Sequence, residues 1–121
     1  MITVKFNNPI DEIAVAATIN VEFQEQTFVL PIPGTATTPS IDASKLVKGT
    51  FFVKNTGAIP ITATLEVSGD GISWVPDTVK NVPAGNVEVL VPIMYGKYYH
   101  VVCTAGGVGN ATIIFSYQIY S

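Results

Sequence analysis

The feature that most constrains this chain is strict alternation. Between Ile13 and Phe23, Ile13, Val15, Ala17, Ile19, Val21 and Phe23 share one parity, and Ala14, Ala16, Thr18, Asn20 and Glu22 share the other. Successive side chains of a strand point to opposite faces, whereas a helix repeats every 3.6 residues, so period two predicts a strand. The same pattern returns along the chain. Phe28, Leu30 and Ile32 share a side, as do Ile61, Ala63, Leu65 and Val67, and later Ala111, Ile113, Phe115, Tyr117 and Ile119. No stretch of useful length carries a helical period.

Turn signals separate these runs. PIPGTATTPS, from Pro31 to Ser40, is too rich in Pro and Gly for a central strand. Further strands are expected over Lys48–Asn55, Ile59–Ser68, Ile72–Val75, Val87–Val91, Tyr95–Thr104 and Ala111–Tyr120. Eight or nine short strands make an all-β, two-sheet sandwich, and a jelly roll is the expected form. The N-terminus is set apart: Ile2, Val4 and Phe6 alternate and then meet the breaker Asn7-Asn8-Pro9. The expected organisation is therefore an N-terminal extension strand, residues 1–9, followed by the sandwich, residues 10–121. A short apolar strand of this kind can complete the sheet of a neighbouring subunit.

Composition narrows the function. Only 12% of the 121 residues are charged, about half the usual share, so part of the surface is expected to be covered or to rely on Thr, Ser and Asn. Net charge is −3, all six basic residues are Lys and none is Arg. Without Arg or a basic cluster, nucleic acid is not an expected partner. No apolar run is long enough to cross a bilayer, and the first residues lack the apolar core of a signal peptide. The one cysteine, Cys103, sits in an alternating strand and reads as a small buried residue, with a disulfide between subunits as the alternative.

The stretch VSGDGISWVPDTVKNVPAGNVEVLVP, Val67 to Pro92, holds the best candidate for a metal site. A calcium loop needs oxygen ligands at alternate positions, but Ile72 and Trp74 follow Asp70 at those positions, and Asp77 lies far along. Asp70-Gly71 is better explained as a hairpin turn. His100, the only histidine, has opposite parity to Cys103, so the two point to opposite faces and form no Cys–His pair. No Gly-x-Ser-x-Gly elbow is present. No catalytic residue, metal or cofactor is expected, and the chain is not expected to be an enzyme. Tyr98 and Tyr120 face away from Tyr99 and Tyr117, which makes them candidate exposed contacts for sugars or for another subunit.

FFVKNTGAIPITATLEVSGDGISW, then VPAGNVEVLVPIMYGKYYHVVC and ATIIFSYQ, resembles a group of uncharacterised domains of spore-forming bacteria. The likeness covers Phe51 to Gln118 and consists of a strand ending in Asn-Thr-Gly, a hairpin with Trp after it, a Pro-Gly turn, a Leu-Val-Pro, a Tyr-rich strand and a final amphipathic strand. It departs at Gly69, where the group usually has Pro. The layout is also similar to endospore appendage pilins, small jelly rolls whose N-terminal connector docks into another subunit. In those pilins the connector carries cysteines, which this N-terminus lacks. The resemblance implies a structural subunit of an extracellular fibre on a cell or spore surface. Its partners would be copies of itself, with or without an anchor protein, and its connector residues Ile2, Val4 and Phe6. A virion decoration or tail-fibre domain and a carbohydrate-binding module are the alternative readings.

Overall fold

A computed structural model describes residues 20–120, and every regular element there is a strand. In chain order these are β1 (Val21–Ile32), β2 (Thr35–Thr37), β3 (Ile41–Asp42), β4 (Leu46–Asn55), β5 (Ile61–Ser68), β6 (Trp74–Val82), β7 (Val87–Leu90), β8 (Tyr98–Ala105) and β9 (Gly109–Tyr120). One sheet runs β1-β9-β4-β7 and the other β2-β8-β5-β6, with β3 also pairing β8. All pairings are antiparallel. From β4 onward the chain passes between sheets at every connection except the β5–β6 hairpin, which is the strand order of a jelly roll.

Alternation places the core. Phe51, Val53, Leu90, Ile113 and Phe115 from the first sheet meet Ile61, Ala63, Leu65, Val67, Tyr99, Val101 and Cys103 from the second, all buried. The Phe115 ring stacks on Phe51 at 4.1 Å and on Tyr117 at 4.5 Å. Gly49 makes room for this column, because a Cβ there would lie 2.5 Å from Phe115 Cε1.

The sandwich and the parities of Ile61–Val67 and Ala111–Ile119 are as the alternation predicts. Several boundaries differ, three of them in ways that matter. The run carrying Phe28, Leu30 and Ile32 belongs to a strand that already begins at Val21, β1, and takes in Val21 and Phe23; the part of the Ile13–Phe23 run before Asn20 lies outside the described residues. Tyr95 belongs to a loop, and β8 begins at Tyr98. The short strand expected at Ile72–Val75 is instead the nine-residue β6. Pro76 and Asp77 break the alternation there, and a register shift opposite Leu65 and Glu66 absorbs the extra residue. The extension strand with Ile2, Val4 and Phe6 lies outside the described residues.

Candidate functional site

The low charge of the chain has a structural counterpart. The outward face of the first sheet carries Phe23 and Val29 from β1, Ile114 from β9, Phe52 from β4 and Val87 and Val89 from β7. Thr27, Ile114, Phe52 and Val89 form one row across all four strands. Phe23 is 66% and Val29 77% exposed. Phe23, Lys48, Phe52, Val91 and Gln118 line a cleft of about 370 Å³ on this side.

The apolar surface continues onto the loop after β7. Val91, Ile93, Met94 and Tyr95 all project outward, Ile93 at 79% and Tyr95 at 75% exposure. The backbone beneath them is fixed. Ile93 N–H donates to both carboxylate oxygens of Asp77 at 3.0 and 3.1 Å, and Met94 N–H donates to Asp77 Oδ2 at 2.6 Å. The Tyr99 hydroxyl donates to the Met94 carbonyl at 2.7 Å. Burial raises the pKa of that hydroxyl above the ordinary tyrosine value, so it remains a donor at neutral pH. Apolar side chains on a held backbone lose little freedom on contact, which suits them to docking.

The other candidates resolve into structure. Asp70 Oδ1 accepts N–H bonds from Ile72 and Ser73, both at 2.8 Å, and Gly71 adopts φ +79° while its N–H reaches Ser68 Oγ. The Ser73 and Ile72 amides hold the Asp70 carboxyl down at about 2. This is the hairpin turn expected from Asp-Gly. Asp77 serves the loop just described, a role that its distance in sequence from Ile93 concealed. Cys103 is buried, and burial pushes its thiol up to about 11. His100 lies on the opposite face of β8, its Nε2 2.6 Å from Glu66 Oε1.

Trp74 begins β6 and does not cover the core. It stacks on the His100 ring, 3.6 Å between centroids and 16° from parallel, outside the second sheet. The two candidate contact tyrosines stand on different sheets. Tyr98 is half-buried with Lys97 Nζ 5.4 Å from its ring centre, while Tyr120 at the end of β9 is 46% exposed. They do not form a joint aromatic platform. The connector residues Ile2, Val4 and Phe6 lie outside the described residues.

Residues 42–119 match the family described as a domain of unknown function, DUF6385. The chain belongs to this family. The DUF6385 match takes in β4 to β9 nearly whole and begins after β1 and β2. No curated protein matches the chain. Among solved structures, PirA is similar at TM-score 0.55 and 15% identity, covering 77% of this chain and 92% of PirA. The PBSX exported protein XepA is similar at TM-score 0.59 and 15% identity, over 84% of this chain but 37% of XepA. A chain of the Bacillus endospore appendages, described as disulfide-linked pili, is similar at TM-score 0.56 and 14% identity, covering 87% and 93%. At these identities the likeness is one of fold. No helix among the described residues is long and apolar enough to cross a membrane.

Proposed function

We propose that this DUF6385 chain is a non-catalytic structural subunit that assembles with copies of itself into a surface fibre. Contacts would form by packing of apolar sheet faces and by addition of the N-terminal strand, with Ile2, Val4 and Phe6 filling a neighbour's groove. The observation that carries the proposal is the apolar surface running from Phe23 through Phe52 and Val89 to Ile93 and Tyr95. Contiguous exposed apolar surface rimmed by polar residues marks interaction sites. The fold shared with an endospore appendage chain agrees with this reading, and an extracellular location follows from it. The glycan-binding alternative has less support, since the Trp74 ring is stacked on His100 and Tyr98 and Tyr120 are apart.

Negative-stain electron microscopy of the full-length chain at neutral pH tests the proposal. Long uniform filaments are expected. Removing Met1 to Asn8 should abolish them and leave folded small particles with an unchanged circular dichroism spectrum. Filaments persisting after that deletion would rule out the connector, and dispersed particles from the intact chain would rule out the fibre.

A further inference from the structure

Sheet edges expose unpaired backbone groups, and proteins normally shorten, charge, kink or interrupt them. Three of the four long-sheet edges here follow that rule. β2 has three residues and β7 four, while β6 carries Pro76, Lys80 and a bulge. β1 follows it least: it runs for twelve residues in unbroken register with β9, its only charges are Glu22 and Glu25, and its one Pro stands next to its end.

The direction of its free backbone groups can be read. Tyr120 N–H donates to the Lys45 carbonyl and the Asn110 carbonyl accepts from Thr56, so the even residues of β9 turn toward β4. Its odd residues therefore bond to their partners in β1, which are the even ones, such as Gln24 opposite Tyr117 and Gln26 opposite Phe115. The odd residues Val21 to Pro31 direct N–H and C=O outward. Pro31 fits this independently, since it has no N–H to give to β9.

We infer that two copies of this chain pair antiparallel through β1, with Gln26 facing Gln26 across a two-fold axis, joining two four-stranded sheets into one of eight. An isologous contact must be self-complementary, and outward odd groups must meet odd partners. Several registers satisfy that parity. Centring on Glu25 opposes two carboxylates, and centring on Thr27 sets Phe23 against Pro31. Centring on Gln26 sets Phe23 against Val29, the two most exposed large apolar residues of the strand, and Glu25 against Thr27. It forms about ten new backbone hydrogen bonds. The pairing goes beyond the fibre reading and stands without it, because it uses no residue before Val21.

Cysteine cross-linking of the full chain tests the register. Gln26 residues would form a non-hydrogen-bonded pair with Cα atoms about 4.5 Å apart, within disulfide range. Mild oxidation of Gln26→Cys should give a reducible covalent dimer, whereas Gln24→Cys, facing Phe28, should not. Cys103 is buried and stays silent. Val29→Lys on the exposed face should keep the fold and weaken pairing at least tenfold by sedimentation. Thr27→Pro, whose N–H points outward, should do the same. The Met1–Asn8 deletion should still cross-link through Gln26→Cys even where fibres are lost. Cross-linking of Gln24→Cys equal to that of Gln26→Cys, or no cross-linking of either, would overturn the inference, as would unchanged association of Val29→Lys.

Discussion

Asn55 closes β4 and is wholly buried. Its Nδ2 donates to the carbonyls of Ile59 and Val82 at 2.8 and 2.9 Å, and its Oδ1 accepts from Gly57 N–H at 3.0 Å. One amide thus ties the β4–β5 turn to the end of β6, which explains the Asn-Thr-Gly letters as structure. Asn55→Ala would leave buried groups without partners and should lower stability by about 2–4 kcal/mol, measured by urea unfolding. Cys103 supplies a pH test. Burial raises its pKa to about 11, so the folded state keeps the proton longer than the unfolded chain does. The stabilising share is complete below the unfolded pKa of about 8.5 and is lost as pH rises toward 11. Cys103→Ala should flatten the alkaline fall in stability over that window. Native Cys103 should also resist thiol reagents at pH 8 until the protein unfolds.

At the scale of elements, the Asp77 bridge from β6 to the loop after β7 holds Ile93 and Met94 in place. Asp77→Ala should cost about 1–3 kcal/mol and speed hydrogen exchange at residues 93–96 with little change in β4 or β9. Equal exchange in that loop would mean that Tyr99 and packing suffice. Such long-range ties explain which elements were legible in sequence. Alternation was enough for β5 and β9, where the core face is unbroken. It was not enough for β6, because Pro76 and the bulged residue interrupt the parity on which a reader depends. Nor could it give the strand order, since β1 pairs with β9 across most of the chain length. The apolar surface was anticipated only as a shortage of charge. Its position follows from strands brought together by folding, and the Asp77 link to Ile93 spans sixteen residues.

For the whole molecule, the same shortage of charge bears on how copies would hold together. The outward face of the first sheet presents Phe23, Val29, Phe52, Val87 and Val89 with Glu25, Lys48 and Lys54 among them. Contacts driven by apolar burial gain about 25 cal/mol per Å² removed from water, and salt does not screen them. Exposed ion pairs, in contrast, are largely screened beyond about 3 Å at 1 M salt. Assembly through this face should therefore change less than about threefold in critical concentration between 0.05 and 1 M sodium chloride, as read by light scattering. Phe52→Lys should raise it by more than tenfold, because a charge at the middle of the Thr27–Ile114–Phe52–Val89 row would have to be desolvated. Filaments that dissolve at high salt while Phe52→Lys assembles normally would place the contact elsewhere, on a charged surface rather than this sheet.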